Sequence, residues 1–239
     1  WHNPATQDNV ATLRRRGITV IEPAHGRLTG KDSGPGRLPE PEQIAEIIRT
    51  ELAGYRVQHT WQGKKVVISA GGTQEELDPV RYLGNRSSGR QGFALAEWAA
   101  QMGADVTLVA GNIAQLPVPS GAKVRRIVST RELEEAMHEE ARDADVVIMA
   151  AAVSDFRPAE VAESKMKKGQ ADDALSTLHL VENPDVLKGL VAARERSELP
   201  ADCVIVGFAA ETGDAHKSAL EYAQEKFIRK GCDVLIANE

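Results

Sequence analysis

The 239-residue sequence predicts an α/β protein built on a doubly wound, mostly parallel sheet with a small antiparallel strand excursion. Three observations predict it. Short, continuously apolar runs recur from residue 64 onward, as expected of strands covered on both faces. Helical stretches alternate with them through short connections, and right-handed crossovers then stack helices on both sides of the sheet. The composition, 42% hydrophobic and 27% charged, lies in the ordinary globular range.

In chain order, a first helix is expected over 9–16, with Gly17 ending it, followed by a short β-type run over 18–21 before Pro23. Segment 26–37 is rich in glycine with almost nothing to bury, and reads as a flap or linker. Pro39-Glu40-Pro41-Glu42 opens a helix through Leu52, with Ile44, Ile47 and Ile48 on one face. Strands are expected over 66–70, 106–110, 124–128, 146–151, 204–208 and 234–237, and helices over 89–102, 131–142, 184–196 and 216–230. A long loop is expected between Thr73 and Gly89. Residues 164–181 break the rhythm: Lys165-Met166-Lys167-Lys168-Gly169 precedes an alternating apolar stretch over 175–181, which suggests a two-stranded excursion from the sheet. This alternation of strand and helix is that of a Rossmann-like domain, in which ligands bind outside the carboxyl ends of the strands near the switch in strand order.

Composition excludes several classes of function. With 35 acidic and 29 basic residues the net charge is −6, which argues against a nonspecific nucleic-acid binder. The two cysteines, Cys203 and Cys232, supply neither a disulfide framework nor a metal cluster, and fit a reducing cytoplasm. No apolar run approaches the length of a membrane span, and no basic-then-apolar signal segment opens the chain.

The residues after each strand carry the chemistry. Gly71, Gly72 and Thr73 follow the first strand of the sheet, and Ser87-Ser88-Gly89 opens the next helix. Close-approaching amides and a capped helix end make a candidate phosphate cradle, although a Gly-Gly turn and a serine cap are also ordinary helix punctuation. Neither a Gly-x-Gly-x-x-Gly fingerprint nor a P-loop is present, and no acid follows the second strand at Gly111-Asn112, which counts against a nicotinamide enzyme. Met149, Ala150 and Ala151 leave room for a flat heterocycle or ribose, and Asp155 stands where a Mg²⁺ bridging phosphates would want an oxygen ligand. The lysines of 165–168 point toward the same mouth, unless they are a solvated charge run. Asn183-Pro184-Asp185 reads as a helix start, Phe208 as a wall for a base or as core, and Lys226 and Lys230 as two cations on one helix face.

Taken together, these segments closely resemble phosphopantothenate cysteine ligases, the second activity of the bacterial bifunctional coenzyme A biosynthesis proteins. The resemblance is carried by Gly71-Gly72-Thr73, Leu77-Asp78-Pro79-Val80-Arg81-Tyr82 with Asn85 and Ser87-Ser88-Gly89, and 150–158. Lys165-Met166-Lys167-Lys168, Asn183-Pro184-Asp185, Gly207-Phe208-Ala209-Ala210-Glu211-Thr212 and Leu235-Ile236-Ala237-Asn238 complete the series, in order over 64–239.

The resemblance implies CTP-dependent ligation of 4'-phosphopantothenate with L-cysteine through an acyl cytidylate. It implies nucleotide contacts at Met149, Ala150, Ala151, Asp155, Lys165, Asn183, Pro184, Asp185, Val186, Phe208, Lys226 and Lys230, with Lys165 assisting cytidylate formation and Asn85 holding the acyl intermediate. Mg²⁺ or Mn²⁺ would accompany CTP, with Asp155 and Asp185 as metal candidates. It further implies a homodimer through the 165–181 excursion. Residues 1–38 then resemble the end and flap of a flavin-dependent decarboxylase, 39–63 a linker and connecting helix, and 64–239 a nucleotide-binding ligase domain lacking its C-terminal end. The flap reads Leu28-Thr29-Gly30 where the decarboxylases carry Ala-Cys-Gly, and FMN belongs to the absent decarboxylase domain, so no decarboxylation is expected. An ATP-dependent relative, an NAD(P)-dependent Rossmann oxidoreductase and a noncatalytic assembly domain are the alternatives.

Overall fold

The computed structural model describes residues 1–239 except 31, 56–58, 114–115, 167–176, 215 and 239. The chain opens with helix α1 (Pro4–Arg15), which begins earlier than expected because Asn3 caps the Ala5 amide and Pro4 occupies the first turn. Strands β1 (Ala24–Arg27) and β2 (Ser33–Arg37) form an antiparallel hairpin. This corrects two expectations: 18–21 is not a strand, and 26–37 is not a bare linker. The Leu28 side chain lies over Gly34 and Gly36, so one leucine covers glycines that look unfoldable in sequence. Helix α2 (Pro41–Leu52) starts with a capping box between Glu40 and Gln43; it buries Ile47 but leaves Ile48 exposed.

The main body comprises β3 (Lys65–Gly71), β4 (Gln74–Asp78), β5 (Arg81–Gly84), α3 (Arg90–Gln101), β6 (Asp105–Gly111), β7 (Ala122–Ile127) and α4 (Thr130–Glu140), which a short 3-10 turn extends. There follow β8 (Val146–Met149), β9 (Phe156–Pro158), β10 (Leu180–Glu182), α5 (Val186–Glu195), β11 (Val204–Ala210), α6 (Ala219–Lys230) and β12 (Val234–Asn238). Six of these strands make one parallel sheet in the order β12-β11-β8-β3-β6-β7. The chain walks outward from β3 through β6 to β7, returns, and walks outward the other way from β8. The doubly wound prediction is therefore met, with its switch point between β3 and β8.

Both sheet faces are dry. Val66, Ile68, Val106 and Leu108 pack beneath α3, while Val67, Val109 and Val147 pack beneath α4 and α5, all at 0% exposure. Each such side chain contributes about 1.5–3 kcal/mol by leaving water. Two small hairpins decorate the carboxyl ends of the strands. The expected long loop after Thr73 folds as β4–β5, hidden in sequence because two of its inward positions, Glu75 and Asp78, are charged. Much of the expected excursion, residues 167–176, lies outside the described residues; at its end β10 runs antiparallel to β9, which precedes Lys165. Strand β8 ends at Met149, where its ladder with β11 stops, and a single further bridge joins Ala152 to Gly72.

Gly71 sits at the tightest point of the fold. Its φ is +81°, and a Cβ there would lie 1.7 Å from the Gly111 carbonyl oxygen. Gly71→Ala combines a left-handed backbone with a backbone collision, and is expected to cost more than about 3 kcal/mol in urea unfolding. Cys203 and Cys232 are both free and buried, and burial pushes the Cys203 thiol up to about 11. Both thiols should therefore resist a water-soluble maleimide in native protein and react once denaturant opens the core, as intact-mass labelling will register.

Candidate functional site

A cleft of about 710 Å³ opens at the carboxyl ends of β8, β11 and β12. It is positioned by the way the chain leaves β8. Past Met149 the chain parts from β11 but stays beside β3, which it meets again at the Gly72–Ala152 bridge, and its amides find partners on that side. Ser69 Oγ accepts from the Ala151 amide (3.1 Å), the Gly71 carbonyl from the Ala152 amide (2.8 Å), and Thr73 Oγ1 from the Ser154 amide (2.9 Å). Buried polar groups are thereby satisfied on the β3 side while β8 and β11 part on the other.

These bonds correct the expected phosphate cradle. The Gly72 amide donates to the Gly111 carbonyl and the Thr73 amide to the Ala152 carbonyl, so neither is free for an anion. Gly71, Gly72 and Thr73 are buried, and none of them lines the cleft. Their small size serves the crossing of β3, β6 and the strap after β8. Gly89, rather than a serine, is the N-cap of α3, with φ +69°; its amide donates to Ser87 Oγ and that of Arg90 to Ser88 Oγ. Ser88 and Gly89 also stand outside the lining, which α3 reaches only through Gln91.

The structure does bring Asn85, Met149, Ala150, Ala151, Asp155, Asn183, Pro184, Asp185, Val186, Phe208, Lys226 and Lys230 together around the cleft. Asn85 follows β5 and donates from Nδ2 to the Val153 carbonyl (2.8 Å), which fixes it against the strap. Asn183 acts as a tie: its amide donates to the Asp155 carbonyl (2.8 Å), its Nδ2 to the Ser154 carbonyl (2.9 Å), and its Oδ1 accepts from Arg157 Nη1. It was expected to cap the following helix. That role belongs to Asp185, which accepts from the Lys188 amide, while Pro184 lies before the cap.

Asp185 has structural work beside the metal role expected of it: one carboxylate oxygen caps α5 and the other pairs with Lys230. Asp155 is exposed at the cleft, and its carboxylate has no hydrogen-bond or ion-pair partner among the described residues. Among those residues no group of three or more His, Cys, Asp or Glu side chains is arranged to hold a metal.

Lys226 pairs with Glu211 (2.7 Å) and Lys230 with Asp185. Both lysines sit on the cleft side of α6, opposite the start of α5, whose positive end suits an anion. Lys165 is exposed and outside the cleft lining, and Lys167 and Lys168 lie outside the described residues.

One polar cluster is absent from the sequence-based expectations. Glu75 is buried and accepts from the Thr130 amide and hydroxyl, Thr130 Oγ1 accepts in turn from the Thr73 hydroxyl (3.1 Å), and Asn183 Nδ2 reaches Thr130 Oγ1 (3.3 Å). The only sequence signal for it is a Thr-Arg-Glu helix start, which gives no hint of a carboxylate 55 residues earlier.

A doubly wound parallel sheet with a cleft outside its switch-point strands, small residues on one wall and lysines on another, defines a Rossmann-like domain suited to an anionic ligand. The chain belongs to the DNA/pantothenate metabolism flavoprotein C-terminal domain family, whose profile matches residues 61–239. Over its full length it is 54% identical to the coenzyme A biosynthesis bifunctional protein CoaBC of Mycolicibacterium smegmatis, and 42% identical to the protein of that name from Vibrio cholerae. It spans 57% and 56% of the length of those two relatives. A crystal structure of the C-terminal domain of a CoaBC protein superposes with a TM-score of 0.60 at 35% identity, covering 74% of this chain and 78% of that one. Among the described residues no helix is long and apolar enough to cross a membrane.

Burial opposes the charge on Asp185, but the Lys230 ammonium and the Lys188 amide outweigh it and hold the carboxyl below its ordinary value. A depressed folded-state value means that this stabilisation is complete above the ordinary carboxylate value of about 3.9 and is lost as pH falls through the lower value. The stability gap between wild type and Asp185→Asn, from urea midpoints, should hold steady from about pH 7 to about pH 5 and narrow below about pH 4.

Proposed function

We propose that residues 64–239 catalyse the CTP-dependent joining of 4'-phosphopantothenate to L-cysteine. Residues 1–38 then correspond to the end and flap of a decarboxylase and 39–63 to a connecting linker and helix. The observation that carries the reading is the convergence of Asn85, Asp155, Lys226 and Lys230 on one cleft in a member of this family. The names of the relatives, coenzyme A biosynthesis bifunctional proteins, support the same pathway.

The chemistry has two displacements. An oxygen of the phosphopantothenate carboxylate attacks the α-phosphorus of CTP; the bond to the β-phosphate bridging oxygen breaks and pyrophosphate leaves. The cysteine amine then attacks the acyl carbon of the cytidylate, loses a proton and expels CMP, leaving an amide. Anions meet anions in the first step, so cations and amide dipoles must offset the repulsion. In this reading Lys226, Lys230 and the first turn of α5, at Val186, hold the triphosphate. Met149, Ala150, Ala151 and Phe208 flank the nucleoside, and Asn183 and Pro184 hold the wall between them. Asp155 meets a Mg²⁺ or Mn²⁺ brought by CTP. Asn85 holds the acyl carbonyl for attack by cysteine, and Lys165 neutralises charge during cytidylate formation.

We assign FMN to the decarboxylase part of such polypeptides rather than to this domain, and the reaction to the cytoplasm. Exposed apolar side chains on the β9–β10 hairpin, Phe156, Leu180 and Val181, support a homodimer formed there. The oxidoreductase alternative gains nothing from the fold, because β6 ends in Gly111-Asn112 with no acid to hold a ribose.

Pyrophosphate release from CTP, Mg²⁺ and phosphopantothenate, measured before and after cysteine is added, tests the reading. Release is expected with CTP, and none at all would reject ligation. Lys165→Gln should lower pyrophosphate formation by about a hundredfold. Asn85→Asp should still release pyrophosphate but accumulate the cytidylate; equal loss of both steps in both variants would refute the division of labour.

A further inference from the structure

The segment that carries Lys165 is fastened at both ends to the β4–β5 hairpin. At its start, the Ala162 amide donates to the Leu77 carbonyl (3.1 Å). At its end, the Met166 amide donates to Asp78 Oδ2 (3.2 Å), and Arg81 Nη2 donates to the Met166 carbonyl (2.7 Å). Residues 162–166 thus form a short arch, with exposed Lys165 one position before the latch.

Asp78 is the centre of that latch. Its side chain is fully buried, at 0% exposure. Oδ1 accepts from the Val80 amide (2.9 Å), which is the ordinary work of an aspartate at a turn, and Oδ2 accepts from Arg81 Nε (3.0 Å). A turn explains both of those bonds. It does not explain a third bond to an amide 88 residues away, made by a carboxylate that has given up all contact with water. The burial opposes its charge, and the Val80 and Met166 amides with Arg81 overcome that, so the carboxyl lies below its ordinary value.

We propose that Asp78 is a positioning residue for the first displacement: by holding the Met166 amide it fixes the backbone from which Lys165 reaches the reacting phosphate. The inference rests on the role given to Lys165 above. It extends that role to a residue that touches neither nucleotide nor acyl substrate. The hairpin that carries Asn85 at its far end therefore carries the support for Lys165 at its near end.

The test is a double-mutant cycle on pyrophosphate formation in the full chain, with CTP affinity measured separately by calorimetry. Asp78→Asn keeps the shape of the side chain and removes its charge. Met166→Pro removes the amide that Asp78 accepts and leaves the β4–β5 turn untouched, so it decides the matter if Asp78→Asn does not fold. Each variant is expected to slow pyrophosphate formation by about tenfold to a hundredfold with CTP affinity unchanged. Combined with Lys165→Gln, each should add little further loss, because the lysine it positions is already gone. A folded Met166→Pro with full pyrophosphate formation, or losses that multiply with that of Lys165→Gln, would overturn the proposal while ligation stood. Full activity in Lys165→Gln alone would instead remove the lysine assignment and this inference with it.

Discussion

The site depends on how two neighbouring parallel strands separate. Along β8 and β11 the ladder runs in register from Val146 opposite Val204 to Met149 opposite Gly207 and then stops. Beyond that point the chain after β8 parts from β11, and an amide left there without a partner would be an unpaired buried donor. On its other side the chain stays with β3 through the Gly72–Ala152 bridge, where the Gly71 carbonyl accepts from the Ala152 amide, and Ser69 and Thr73 add side-chain oxygens for the Ala151 and Ser154 amides. The wall of the cleft is held to β3 by these bonds, and Glu75 and Thr130 extend the same arrangement to Asn183.

That mechanism explains which parts of the fold were legible in sequence. The six parallel strands and their helices announce themselves because burial on both faces demands unbroken apolar runs, and residues such as Val66, Val67 and Ile68 supply them. The β4–β5 hairpin did not announce itself, since Glu75 and Asp78 face inward and break the alternation on which strand recognition relies. The β1–β2 hairpin was hidden for the opposite reason: its glycines are covered by Leu28 and Arg37, and glycine composition alone suggests a linker.

The site was legible as a set of positions, with less certainty as to what each one does. Asn85, Asp155 and Phe208 converge because the segments after β5 and β8 and the end of β11 share one edge of the sheet, and Lys226 and Lys230 reach that edge from α6. Roles depend on partners far away in sequence. Asp185 reads in sequence as a candidate metal ligand, and only the tertiary structure shows that it caps α5 and pairs with Lys230. Gly72 looks like an anion-binding amide until the Gly111 carbonyl takes it. Asp78 resembles a turn residue, and only the tertiary structure reveals its bond to Met166.

The pairing of Lys226 with Glu211 and of Lys230 with Asp185 gives the cleft the character of an ion exchanger. Its cations are already neutralised, so a phosphate bound there would have to displace a carboxylate counterion rather than add to a bare positive field. The net gain from each lysine is then a difference between two attractions, smaller than either alone. Selectivity accordingly favours ligands whose charge is dense enough to compete with a carboxylate, and a triphosphate meets that condition better than a monophosphate.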